Sequence, residues 1–121
     1  MANSSASILL VEDDAILLDS TAELLAAEGF KVQVACGVGE AIGLLEAKPV
    51  PATVITDINL GGERSGLELA RLVSERWPEV RLLIVSGEQR PSKPDYPEGA
   101  LFLTKPYPKA ALLQLVRSEE W

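Results

Sequence analysis

Ser7-Ile8-Leu9-Leu10-Val11-Glu12-Asp13-Asp14 joins a short, almost wholly apolar run to three consecutive carboxylates. A strand without polar alternation is one covered on both faces, as in a parallel sheet. The run over 7–11 is therefore expected to be an interior strand, and the carboxylates mark where it ends. An amphipathic stretch over 14–28 follows, with Leu17, Leu24 and Leu25 at helical spacing. Asp13 or Asp14 is placed to cap this helix, and Gly29 stands just beyond its end.

The same βα punctuation repeats along the chain. Positions 31–36 alternate Val32, Val34 and Cys36 against Lys31, Gln33 and Ala35, the pattern of a half-covered edge strand in which Cys36 is a small core residue. A short helix over 39–47, with Ile42 and Leu45 inward, stops at Pro49-Val50-Pro51. A third strand over 52–56 ends at Asp57. Ser65-Gly66-Leu67-Glu68 has capping-box spacing and opens a helix through Leu69, Leu72, Val73 and Trp77. The fourth strand, 81–85, ends at Ser86, and a fifth, 100–103, precedes Lys105-Pro106. Pro108 opens a last helix through Leu112, Leu113 and Val116. Between the last two strands, Pro91, Pro94 and Pro97 leave little room for a helix, which is expected to be short or missing.

Five strands alternating with helices imply an α/β domain of three layers, with right-handed crossovers and both sheet faces covered. Ligands in such open sheets bind beyond the carboxyl ends of the strands. The residues just past strands one, three, four and five are Glu12-Asp13-Asp14, Asp57, Ser86 and Lys105. Carboxylates gathered there repel one another by on the order of 4 kcal/mol per close pair at intermediate dielectric. A hard divalent cation is the natural compensation, and Mg²⁺, which takes few carboxylates and keeps waters, suits a site open to a phosphate oxygen. Lys105 adds a second positive charge. In this setting Asp57 is expected to act as a nucleophile toward phosphorus, with Ser86 offering a hydroxyl to a phosphoryl oxygen.

These residues, in this order and spacing, resemble the receiver domain of two-component response regulators over nearly the whole chain. Ile8-Leu-Leu-Val-Glu-Asp-Asp14 is similar to the first strand and acidic pair, and Val54-Ile-Thr-Asp57 to the phosphoacceptor strand. Val85-Ser86-Gly87 resembles the switch-hydroxyl segment, and Phe102-Leu-Thr-Lys105-Pro106-Tyr107 the aromatic-x-x-Lys-Pro-aromatic stretch. The resemblance implies a flavodoxin-like sheet of strand order 2-1-3-4-5, the order of the chemotaxis receiver. It places Glu12, Asp13, Asp57 and the Asn59 backbone carbonyl at a Mg²⁺ site. It implies that phosphorylation draws in Ser86, lets Phe102 turn inward, and remodels the face around the fifth strand. Asn59 and Glu88 become candidates for tuning hydrolysis of the phosphate. The expected partners are a histidine kinase or histidine phosphotransfer protein and a downstream protein, with the chain a monomer or weak dimer. Such a chain is a phosphoacceptor that assists its own phosphorylation and dephosphorylation, not an enzyme acting on another substrate.

Two stretches depart from the family's pattern. Gly61-Gly62 replaces the usual proline region after Asp57, and Gly66 comes nine residues on, so this loop is one residue longer. The proline-rich 87–99 segment replaces the helix that often carries the signal, as a specialised partner surface, a loop ordered by phosphorylation, or a capped deletion.

The whole chain narrows the remaining classes. Its 121 residues support one domain over 1–121, with an ordered core of about 6–118 and no output domain. Eleven Lys and Arg stand against eighteen Asp and Glu, a net charge of −7 that repels nucleic acid and anionic membranes. No membrane span or signal segment is visible, so the expected location is cytoplasmic. The absence of histidine rules out His-ligated zinc, Ser-His-Asp and Cys-His catalysis, and a histidine phosphodonor role. The competing readings are a degenerate receiver making phosphorylation-independent protein contacts, an aspartate-nucleophile phosphatase, and a nucleotide-binding flavodoxin-like protein. Joint retention of Asp57, Lys105, Ser86 and the acidic pair opposes the first. The phosphatase needs an Asp-x-Asp ending strand one, and the nucleotide binder needs a glycine- or hydroxyl-rich phosphate loop there.

Overall fold

A computed structural model describes residues 7–60, 65–87 and 97–118. Five strands, β1 (Ser7–Val11), β2 (Lys31–Ala35), β3 (Thr53–Asp57), β4 (Arg81–Ser86) and β5 (Leu101–Thr104), alternate with helices α1 (Ala15–Ala27), α2 (Val38–Glu46), α3 (Gly66–Arg76) and α4 (Lys109–Arg117). The strands form one parallel sheet of order β2-β1-β3-β4-β5, a flavodoxin-like arrangement. The apolar runs lie in the middle of it: β3 is buried throughout, and β1 and β4 at every residue but the first. The more polar β2 occupies an edge.

Strand alternation divides the core in two. Leu9, Val11, Val54, Leu82 and Ile84 face the α2/α3 layer, where Ala41, Leu45, Leu69 and Val73 meet them. Ile8, Leu10, Ile55, Leu83 and Val85 face the α1/α4 layer, with Leu18, Leu25, Leu112 and Val116. Burying a Leu or Val side chain is worth about 1.5–3 kcal/mol, so the two layers together supply the main driving force.

Helix ends follow the local sequence. Asp14 caps α1, its side chain accepting from the backbone N–H of Ile16 at 3.0 Å and Leu17 at 3.2 Å. At the other end, Gly29 takes φ 97°, its N–H donates to Ala26 O, and that of Phe30 to Leu25 O. This paired closure is the Schellman turn, whose left-handed residue glycine adopts without a Cβ penalty. Ser65 caps α3, accepting from Glu68 N–H at 3.2 Å.

The sequence expectations need three corrections. The buried stripe of α1 is Leu18, Thr21 and Leu25, and Leu17 and Leu24 are only partly covered. The cap at Asp14 starts the helix at Ala15 and sets this phase. Cys36 is exposed, because β2 stops at Ala35, which takes the core position. Cys36 instead begins the turn into α2, its N–H donating to Glu40 Oε1 at 2.8 Å. Val34, on the edge strand, is also exposed. The expected gap in helical structure between β4 and β5 falls largely on 88–96, outside the described residues, as do the Gly61-Gly62 loop and Trp121.

Arg81 fastens the end of the sheet remote from the carboxylates. Its guanidinium donates to Thr53 Oγ1 at 3.2 Å, to Val116 O at 3.1 Å and to Ser118 O, joining β3 and β4 to the last turn of α4. Hydrogen bonds from a charged group to otherwise open helix carbonyls are among the stronger ones. Arg81→Met, which keeps the aliphatic stem, is expected to cost about 2 kcal/mol in urea unfolding and to speed amide exchange in α4 first. Unchanged exchange in α4 would contradict the clamp.

Candidate functional site

Register aligns the strand ends. Val11 pairs with Thr56, Asp57 with Val85, and Ser86 with Thr104, so Glu12, Asp57, Ser86 and Lys105 all emerge at one edge. Alternation then sorts them. Glu12 continues the Ile8-Leu10 face, Asp57 the Ile55 face and Lys105 the Leu101-Leu103 face, all toward α1 and α4. Ser86 continues Leu82 and Ile84 on the opposite face. Lys105 starts two positions beyond the Asp57 row, and its long stem spans the difference.

Glu12 and Asp57 are buried, at 6% and 7% exposure, although both are acidic. The Lys105 ammonium lies between them, donating to Glu12 Oε1 at 3.0 Å and to Asp57 Oδ2. The other oxygens are also engaged: Asp57 Oδ1 accepts from Asn59 N–H at 3.0 Å, and Glu12 Oε2 from Asp14 N–H at 3.1 Å. Burial raises the Glu12 pKa; the Asp14 N–H and Lys105 oppose the rise and the Asp57 charge adds to it. Burial by itself would lower the Lys105 pKa, but its hydrogen bonds and charge contacts with Asp57 and Glu12 outweigh this and raise it.

The convergence of three or four carboxylates expected from sequence reduces to two. Asp13 and Asp14 are exposed, and Asp14 is committed to the helix cap. Among the described residues, no group of three acidic, His or Cys side chains is arranged to hold a metal ion. The positive charge that the carboxylates require is already supplied by Lys105. The donor chemistry nevertheless fits Mg²⁺, since one or two carboxylates completed by waters is its usual protein complement.

The other expected residues are placed as follows. Ser86 is buried, and its carbonyl accepts from Lys105 N–H at 2.7 Å, which fixes where the lysine stem begins. Phe102 is partly buried against the α2/α3 layer. Asn59 is exposed and contributes its N–H to Asp57. Glu88 lies outside the described residues.

Three residues support the site through contacts that the sequence reading did not assign, although Gly66 and Tyr107 stood in its motifs. Gly66 donates its N–H to Ile58 O at 2.8 Å, and a Cβ built on it would lie 1.8 Å from the Asp57 carbonyl oxygen. The start of α3 can approach the end of β3 this closely only without a side chain. Thr21 and Tyr107 line a small chamber with Glu12, Asp57 and Lys105. Burial raises the Tyr107 pKa, partly offset by the neighbouring Thr21 hydroxyl and by the Lys105 charge. Nothing in local spacing reports contacts between residues so far apart in sequence.

Comparison with known proteins agrees with this geometry. The response regulator receiver domain family model matches residues 8–117, and the chain belongs to that family, the receiver domains of two-component systems. An NtrX-like response regulator of Rickettsia bellii is 37% identical over 81 residues, covering 66% of this chain and 17% of that protein. The photosynthetic apparatus regulatory protein RegA of Cereibacter sphaeroides is 32% identical over 81 residues, covering 67% of this chain and 43% of RegA. This chain thus spans less than half the length of either relative. The crystal structure of a response regulator receiver protein from Sinorhizobium medicae superposes with TM-score 0.81 at 28% identity, covering 94% of this chain and 96% of that one.

Two expected outcomes follow from the site. The folded protein holds the Glu12 proton more tightly than the unfolded chain, so the Glu12 contribution is complete below the ordinary value of 4.5 and lost as pH rises through the raised one. In metal-free buffer, the stability advantage of Glu12→Gln over the parent should therefore grow from pH 4 to pH 7, read from paired denaturant melts; a constant difference contradicts the burial argument. Gly66→Ala should lose about 1–3 kcal/mol as the backbone yields. Gly43→Ala in α2, where a Cβ meets nothing within 4 Å, should instead gain up to about 1 kcal/mol.

Proposed function

We propose that this receiver takes a phosphoryl group on Asp57 from a histidine kinase or a histidine phosphotransfer protein, with Mg²⁺ as cofactor. It then signals through phosphorylation-dependent protein contacts or passes the group on in a relay. The observation that carries this reading is the Glu12–Lys105–Asp57 cluster: a buried nucleophile-type carboxylate with a cation already against one oxygen and a backbone N–H on the other.

An Asp57 carboxylate oxygen forms the new bond to phosphorus while the bond to the donor imidazole nitrogen breaks and the freed nitrogen takes up a proton. Lys105 neutralises charge on the transferring group and on Asp57 itself. Ser86 donates its hydroxyl hydrogen to a phosphoryl oxygen. Glu12, Asp13 and Asp57, with the Asn59 carbonyl, are the groups that would hold Mg²⁺, which when bound supplies neutralising charge to the phosphoryl oxygens. Asn59 and Glu88 are the residues assigned to tuning hydrolysis of the phosphate. Phe102 follows Ser86 inward and changes the face around β5. A single receiver unit over 1–121, acting as a monomer or weak dimer in the cytoplasm, completes the reading; no described helix is long and apolar enough to cross a membrane.

Support for a protein phosphodonor comes from the surface beside the acid loop. Ile16, 83% exposed, follows the capping Asp14 by two residues, and a groove between α1 and α4 opens next to it. Apolar surface next to a charged reaction centre suits docking of another protein. The net charge of −7 supports a partner other than nucleic acid.

Incubation with acetyl phosphate and Mg²⁺ should add one phosphoryl group by intact mass, and Asp57→Asn or a metal chelator should abolish the addition. Lys105→Ala should slow it by on the order of a hundredfold, the usual loss on removing a transition-state charge partner. A mass gain persisting in Asp57→Asn would move the site elsewhere. No gain from acetyl phosphate or from a kinase would leave a receiver used only for protein contacts.

A further inference from the structure

Two threonines interrupt the apolar run of β3, and both are at 0% exposure. A buried hydroxyl costs free energy unless it finds a partner, so each implies a task that an apolar β-branched residue would not perform. Thr53 receives the Arg81 guanidinium. Thr56 stands directly before Asp57 and donates its hydroxyl hydrogen to the Asp57 carbonyl oxygen at 3.0 Å.

That carbonyl belongs to the first of two consecutive peptide groups after Asp57, and each group is held at both ends. In the Asp57-Ile58 peptide, the carbonyl accepts from Thr56 and the Ile58 N–H donates to Val85 O at 3.0 Å. In the Ile58-Asn59 peptide, the carbonyl accepts from Gly66 N–H at 2.8 Å and the Asn59 N–H donates to Asp57 Oδ1 at 3.0 Å. A planar peptide held at both ends turns only by giving up a hydrogen bond. The direction of the Asn59 N–H, and with it the setting of the Asp57 carboxylate, is therefore inherited from the peptide before it. Val85 and Gly66 hold this turn through their backbones, and Thr56 holds it through a side chain. Thr56 shares the Val54 face of β3, toward α2 and α3, so its hydroxyl acts from the side of the sheet opposite Glu12 and Lys105.

We propose that Thr56 is a positioning residue for Asp57: its hydroxyl orients the two peptides after the aspartate so that the Asn59 N–H fixes Oδ1 and Oδ2 is presented to Lys105. The hydroxyl is uncharged and on the far face, so it sets the carboxylate without competing for its cation. The role in phosphoryl transfer rests on Asp57 being the phosphoacceptor.

Thr56→Val removes the hydroxyl at nearly constant volume, whereas Thr56→Ser keeps it and removes a fully buried methyl. Rate and stability are expected to cross between the two. With acetyl phosphate and Mg²⁺, Thr56→Val should be phosphorylated roughly fivefold more slowly than the parent, the factor set by one neutral hydrogen bond, and Thr56→Ser at close to the parent rate. In urea, Thr56→Ser should unfold at a lower midpoint than Thr56→Val, because it leaves a cavity in the core. In the unphosphorylated, metal-free protein, the Asn59 amide proton should move upfield in Thr56→Val, as its bond to Oδ1 lengthens, and hold the parent position in Thr56→Ser. A parent rate in Thr56→Val, an unmoved Asn59 amide in that variant, or rates that follow the urea midpoints in both variants each overturn the positioning role. If the parent chain takes no phosphoryl group on Asp57, it is that assignment which fails, and the Asn59 amide still decides whether Thr56 sets the carboxylate.

Discussion

The Lys105 ammonium between Glu12 and Asp57 is the contact on which the rest of this structure depends. Two carboxylates at 6% and 7% exposure, side by side at the end of parallel strands, are unfavourable unless a cation shares their space. Lys105 provides it from just past β5, two places in the sheet from the Asp57 strand and three from the Glu12 strand. The charge balance of the site is thus a property of the sheet, and it fails if the strands slip in register. A one-residue slip of β5 would also turn Lys105 to the other face.

The elements around the cluster each relieve a different conflict. Asp14 takes the helix cap, so the acid loop satisfies α1 without drawing in Glu12, which instead accepts the Asp14 N–H. Gly66 lets α3 start against the Asp57 carbonyl. Ser86 serves first through its backbone, holding Lys105 N–H. At the opposite end, Arg81 fastens α4 to the sheet, and α4 supplies Leu112 and Val116 to the layer that covers the acidic face.

The two faces of the sheet also divide the residues to which the proposed function assigns roles. Glu12, Asp57, Lys105, Thr21 and Tyr107 belong to the α1/α4 side. Ser86 and Phe102 fall by alternation on the α2/α3 side, where Phe102 packs against that core. On the function proposed above, a charge change at Asp57 would reach the second face through the strands, the element common to both.

Sequence alone determined a great deal here. The unbroken apolar run of β1 placed it in the interior of a parallel sheet, because a strand covered on both faces lacks polar alternation, and the resemblance to receiver domains supplied the order of the others. Punctuation by Asp14, Gly29 and Ser65 set helix ends, since capping is local. The convergence of Glu12, Asp57, Ser86 and Lys105 on one edge followed from strand topology. What only the tertiary structure decided was which charges meet: Glu12 and Asp57 are buried with the Lys105 ammonium between them, and Asp13 stays at the surface. Cys36 and Leu17 were misplaced because a single-residue change in where a strand or helix begins rotates a side chain out of the core. The contacts of Gly66, Thr21 and Tyr107 were not legible for a related reason: they are distances to residues far along the chain, and a linear pattern carries composition and period but no distance across the sheet.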